Sequence, residues 1–239
     1  IVSYLMDRAA GSRPDVFWAS SPDSFRALDR HGLLKKIDNL GDPAIPARIG
    51  KLSVNNENGY YRGQALSGYG IMWNKRYLAA RGIPVPANWS DLVRPEYFSH
   101  VVMSSPSRSS TNHLIIESIL QGEGWEAGWA QILQIAANCA MIADRSSGAP
   151  NSVTSGRFGL GLVVDFLALS AHYSGFPVEF SYASPSVITP ASIALISGGK
   201  NPEGGMKFIE FALSKEGQSL LLRPEISRLP VLPSVYASA

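Results

Sequence analysis

The chain has 239 residues, of which 45% are hydrophobic and 17% charged, with a formal net charge of +2. That length and apolar content build a substantial core, either as one large domain or as two smaller lobes. No Lys/Arg cluster is dense enough to follow a nucleic-acid backbone or an anionic membrane, so no nucleic-acid partner is expected, and no apolar run approaches the roughly 20 residues that cross a bilayer.

Residues 1–10 read as the tail of a helix stopped at Gly11, with Pro14 beyond it. This N-terminal stretch lacks the layout of a signal peptide, so for an exported protein the targeting segment is expected to have been removed. Asp15-Val16-Phe17-Trp18-Ala19 predicts a short strand. The turn Ser20-Ser21-Pro22-Asp23 leads from it into a helix over 24–31, closed by Gly32. Residues 38–59 are rich in Pro, Gly and Asn and predict a long irregular connection. One or two strands follow over 60–74, then a helix over 75–81 stopped at Gly82, and a short helix near Asp91 capped by Asn88 or Ser90.

The densest chemistry lies in Val101 to Ile116, which reads VVMSSPSRSSTNHLII. An apolar run, a hydroxyl-rich loop and a helix start succeed one another there. Such a junction presents free backbone N–H groups and the positive end of a helix dipole, which favour an anion. Ser107, Ser109, Ser110 and Thr111 add short donors, and Arg108 adds a cation if it turns inward. The alternative is an ordinary N-cap, but one cap needs one hydroxyl and this loop carries several.

The helix from this loop breaks at Gly122-Glu123-Gly124, and a second helix over 125–136 places Trp125, Trp129, Leu133 and Ala136 on one face. A strand over 138–143 then leads into the turn Asp144-Arg145-Ser146-Ser147-Gly148. A buried strand over 157–164 ends at Asp165, the usual address of a ligand contact in an α/β sheet and equally the N-cap of a helix over 166–174. Strands over 178–182 and 188–196 and helices over 202–213 and 214–222 complete the chain. Alternation of strands and helices predicts an α/β fold with parallel sheets.

Catalytic and metal motifs are missing. His31, His100, His113 and His172 have no partner at helical spacing, and the nucleophile elbow, the phosphate loop and the zinc-protease motif do not occur. Ser197-Gly198-Gly199-Lys200 suits a turn better than an active site. The single cysteine, Cys139, cannot form an internal disulfide and is expected to act as a small buried apolar side chain. No cofactor is expected.

Several segments, in order along the chain, resemble the extracytoplasmic solute-binding proteins of ABC importers. They are Gly70-Ile71-Met72-Trp73-Asn74, Trp89-Ser90-Asp91-Leu92, Ser105 to Thr111, Gly159-Leu160-Gly161 with Asp165-Phe166, Asn201-Pro202-Glu203, Leu213 to Gln218, and Ser227-Arg228-Leu229-Pro230. The resemblance implies two α/β lobes of the type II class, joined by hinge crossover strands, with a ligand in the cleft between them. Lobe 1 is expected from 1–75 with 186–239, and lobe 2 from 76–185. Family members begin with a further strand and helix ahead of the segment matching Ile1; these are expected to be missing here, either because the chain is a fragment or because part of one cleft wall is absent.

Within the family, the branch that binds phosphorylated sugars and phosphoglycerate is the more similar one. It implies a phosphate held by Ser107, Arg108, Ser109, Ser110 and Thr111, helped by Arg145, Ser146 and Ser147, with Asp165 accepting from ligand hydroxyls. Ser20 and Ser21, on a corner of the same kind, are expected to face the same anion from the other lobe. The ferric-ion branch is the alternative, although paired tyrosines are replaced here by Asp165-Phe166-Leu167. The resemblance further implies a periplasmic, monomeric, non-enzymatic protein that delivers its ligand to a membrane permease. An extracytoplasmic sensing module is a second alternative, and an enzyme built on Ser107 or Ser197 a remote third.

Overall fold

Strand pairing divides the chain into two units, Ile1–Ser67 with Thr189–Ala239, and Gly68–Ile188. The structure is a computed structural model and describes residues 2–20, 22–37 and 39–238. The first unit opens with α1 (Val2–Met6), β1 (Val16–Ala19), α2 (Pro22–Arg30) and β2 (Leu34–Lys35). It continues through the hairpin β3 (Arg48–Ile49) and β4 (Leu52–Ser53) to β5 (Arg62–Ser67). The second unit holds β6 (Tyr69–Asn74), α3 (Lys75–Arg81), two 3-10 turns (Trp89–Val93 and Pro95–Tyr97), β7 (Val101–Ser104), α4 (Ser110–Glu123) and α5 (Trp125–Ala137). After these come β8 (Cys139–Ala143), α6 (Gly148–Thr154), β9 (Leu160–Val164), α7 (Asp165–Tyr173) and β10 (Val178–Tyr182). The chain closes in the first unit with β11 (Thr189–Ile196), α8 (Pro202–Ala212), α9 (Lys215–Leu220), β12 (Leu229–Pro230) and a 3-10 turn over Pro233–Ser238.

The second unit's sheet runs β10-β6-β9-β7-β8. Its β9 reads Leu-Gly-Leu-Val-Val because both faces are covered. Leu160, Leu162 and Val164 pack with Ile115, Ile119 and Trp89 on one side, while Val163 packs with Val153 and Ala168 on the other. At about 1.5–3 kcal/mol for each fully buried aliphatic side chain, this strand anchors the unit. Local chemistry sets the ends of α3. The Asn74 side chain accepts from the Tyr77 amide at the N-terminus, and Gly82 closes the helix with φ +64, a left-handed conformation in which a Cβ is strained.

The expectation of parallel sheets holds only in part. β7 runs parallel to β8 and β9, but β6 and β10 are antiparallel to their neighbours. In the first unit every strand pair among the described residues is antiparallel. There β11 returns from a distant part of the chain to lie between β1 and β5, so no strand–helix–strand crossover links those neighbours.

Three other readings are corrected. The predicted irregular segment 38–59 contains the β3–β4 hairpin, in which Arg48 pairs with Ser53. On α5 the buried positions are Gly128, Ile132 and Ile135, while Trp125 and Leu133 are exposed. Gly128 allows the close approach, since a Cβ there would stand 3.1 Å from the Leu120 Cα. Residues 68–75 and 186–188, expected with lobe 1, fall in the second unit because β6 pairs with β9 and β10.

Candidate functional site

Register places one end of every strand of the second unit's sheet along a single edge. β7 and β9 are parallel with Val102 opposite Gly161, and β8 matches Ser104 with Ala143. The turns after Ser104, Ala143 and Val164 are therefore neighbours. β6 runs the other way, with Tyr69 opposite Val164, and β10 ends with Tyr182 opposite Gly70. The start of β6 and the end of β10 thus join the same edge.

At its centre, two of the predicted hydroxyl corners meet. Ser109, in extended conformation with φ −127, caps α4, its Oγ accepting from the Asn112 amide at 3.3 Å. The same Oγ lies 2.8 Å from the Ser146 Oγ. Ser104, fully buried at the end of β7, donates its hydroxyl to the Arg145 carbonyl at 2.9 Å and ties the corners together beneath. Ser105 and Ser107 pair through their hydroxyls at 3.0 Å. The amides of Ser110 and Thr111, the first two in α4, meet no acceptor among the described residues, as a helix start dictates.

Arg108 does not reach over the loop. Its guanidinium pairs with Asp144 at 3.3 Å, and both side chains are exposed, so the pair is worth only about 0–1 kcal/mol. Arg145 and Ser147 are exposed, and Ser147 precedes α6 without capping it through its side chain. Thr111 is buried against the helix.

Asp165 is placed differently from a solvent-facing contact. It is 1% exposed. Oδ1 accepts from the Phe166 amide at 2.7 Å, and Oδ2 accepts from the Gly68 amide at 2.7 Å and the Tyr182 hydroxyl at 3.0 Å. Tyr182, Gly68 and the fully buried Asn112 belong to this edge and carry no motif of their own. Asn112 donates to the Leu162 carbonyl at 3.4 Å, and its Oδ1 has no hydrogen-bond partner among the described residues. A polar residue in the first turn of a helix that follows a buried strand is the one signal that marks Asn112.

Ser20 lies in the first unit, and Ser21 lies outside the described residues. Ser20 lines a cavity of about 330 Å³ with Trp18, Gln64, Phe208, Leu221 and Arg228, a mostly apolar lining ill suited to an anion. No group of three or more His, Cys, Asp or Glu among the described residues is arranged to hold a metal. Cys139, half-buried at the far end of β8, has its thiol pushed up to about 11 by burial. His100, held by the Tyr77 hydroxyl at 2.9 Å, has its pKa lowered by burial and by Arg81.

In open α/β sheets ligands bind beyond the carboxyl ends of the strands, and these hydroxyl-lined corners lie at such ends. Residues 12–236 match the family of bacterial extracellular solute-binding proteins, and the chain belongs to that family. Its mixed α/β fold is that of the two-lobe type II binding proteins. Family and fold are those of substrate-binding proteins rather than enzymes, and membership implies a periplasmic location.

The chain is 35% identical over 229 residues to the phosphoglycerate transport regulatory protein PgtC of Salmonella typhimurium, covering 96% of this chain and 56% of that protein. It thus spans little more than half the length of this relative. It is also 24% identical over 152 residues to the spermidine/putrescine-binding periplasmic protein of Escherichia coli, covering 59% of this chain and 39% of that protein. Among solved structures, the periplasmic binding protein AfuA from Actinobacillus pleuropneumoniae, with fructose-6-phosphate bound, matches with a TM-score of 0.82 at 18% identity, covering 97% of this chain and 72% of that one. The ferric binding protein from Campylobacter jejuni matches with a TM-score of 0.72 at 15% identity, covering 96% and 74%.

Proposed function

We propose that the protein binds a small organophosphate, a sugar phosphate or a phosphoglycerate-like anion, and presents it to the permease of an ABC importer. The observation that carries this reading is the pair of joined corners after β7 and β8. Ser109 and Ser146 share a hydrogen bond there, and the Ser110 and Thr111 amides at the start of α4 meet no acceptor among the described residues. A phosphate oxygen replaces the Ser109–Ser146 bond with two charge-assisted ones and takes the unspent amides, an arrangement that neutral or cationic solutes do not reward. The likeness to a phosphoglycerate transport regulatory protein and the fold shared with a fructose-6-phosphate-bound protein support the same choice.

Ser107, Ser109, Ser110, Thr111 and Ser146 carry the phosphate in this reading. Arg108, Arg145 and Ser147 stand at the rim, where Arg108 leaves Asp144 if it is recruited. A second reading, ligand sensing rather than import, is favoured by the regulatory role in that relative's name and by a fold match to a two-component signal-transduction protein with a TM-score of 0.77. Both readings use the same ligand.

A thermal-shift screen of sugar phosphates, phosphoglycerates, spermidine and ferric salts tests the proposal. A bound ligand raises apparent stability by mass action, so at least one phosphate ester is expected to raise the Tm, and spermidine and iron are not. Stabilisation by ferric salt with a visible phenolate charge-transfer band, and none by any phosphate ester, overturns it.

A further inference from the structure

Asp165 is buried and already serves donors of its own protein, whereas the tyrosine bonded to it is 49% exposed. We propose that Tyr182, not Asp165, is the residue that meets the ligand's hydroxyl groups, and that Asp165 is a positioning residue that fixes the direction of the phenol. This inference rests on the organophosphate reading above.

The ring is held on several sides. It stands edge-on to Phe180, with centroids 5.0 Å apart at 85°. A Cβ on Gly68 would fall 2.5 Å from the ring, so glycine at that position makes the room the phenol occupies. The hydroxyl ends on Asp165 Oδ2 at 3.0 Å. The phenol is the donor in this bond and the carboxyl oxygen the acceptor. With its proton committed inward, the Tyr182 oxygen offers a ligand only acceptor capacity. It selects ligand donors, meaning hydroxyls, and rejects carboxylate or phosphate oxygens there.

Position along the sheet edge then sets the spacing. The Tyr182 hydroxyl reaches β9, and the Ser109 corner follows β7, the next strand over. One strand interval is roughly 5 Å. A phosphate at one corner and a hydroxyl two or three carbons away fit that interval, which points to hydroxylated phosphate esters of about three to six carbons.

Calorimetry with glycerol 3-phosphate, propyl phosphate and inorganic phosphate, on the wild-type chain and on Tyr182→Phe, tests this. The wild type is expected to prefer glycerol 3-phosphate over propyl phosphate about tenfold, the worth of one hydrogen bond. Tyr182→Phe is expected to lose that preference while binding inorganic phosphate within about twofold of wild type. A Phe variant that still prefers glycerol 3-phosphate as strongly, or one that loses all three probes equally, overturns the role of Tyr182 and leaves the phosphate corner standing. A wild type that binds none of the three removes the organophosphate reading itself.

Discussion

Replacing Ser109 with alanine removes a single oxygen that serves two bonds. As the cap of α4 it accepts the Asn112 amide, and losing a serine cap costs about 1 kcal/mol. As the partner of Ser146 at 2.8 Å it joins the turns after β7 and β8, for about another 1 kcal/mol. Because the residue is 2% exposed, water does not take the oxygen's place, and the expected total is about 2 kcal/mol. Ser109→Gly separates the contributions, because glycine forfeits only a few tenths of a kcal/mol of the cap yet all of the hydroxyl link. Urea unfolding followed by tryptophan fluorescence should rank wild type above Gly and Gly above Ala. Both variants should bind phosphate esters about ten- to a hundredfold more weakly, the range for a charge-assisted bond. An alanine variant as stable as wild type, or one with unchanged affinity, refutes the dual role of this oxygen.

Other outcomes follow from single groups. Gln218, fully buried, donates to the Gln64 and Ala212 carbonyls and accepts from the Val231 and Leu232 amides. Gln218→Leu therefore strands four backbone groups and should destabilise the first unit by about 4 kcal/mol or more, measured by urea unfolding; a loss under about 1 kcal/mol contradicts this. Cys139, with its thiol pushed up to about 11, should be roughly 0.1% thiolate at pH 8 and react with iodoacetamide far more slowly than a free thiol; prompt stoichiometric labelling contradicts this. Burial and Arg81 lower the His100 pKa, so the unfolded chain binds its proton first as pH falls. Its contribution is intact above about pH 6.5 and declines below it towards the folded value, so the Tm should drop between pH 7.5 and 5.5, less steeply in His100→Asn. An equal slope in both proteins contradicts the assignment.

The elements that sequence chemistry marks most clearly are those with caps. Asn74 and Gly82 bracket α3, and Asn201 with Pro202 starts α8, because capping is local and needs no knowledge of neighbours. The hydroxyl corners are legible for the same reason. What was not legible depends on contacts distant in sequence. Tyr182 and Gly68 reach Asp165 only through the antiparallel pairing of β10, β6 and β9, which no local pattern encodes. The face of α5 was misread because the large side chains Trp125 and Leu133 dominate the periodicity, whereas burial there turns on Gly128, the smallest residue in the helix. The antiparallel pairing of the first unit likewise arises from β11 returning across a long insertion to lie between β1 and β5.

The most direct test is to follow the backbone amides of 15N-labelled protein by NMR as a phosphoglycerate is added. Amides that gain a phosphate acceptor move downfield, so Ser110 and Thr111 should show the largest shifts, with Ser146 close behind. Binding that leaves those amides in place and moves others instead contradicts the assignment of the anion to the corners after β7 and β8.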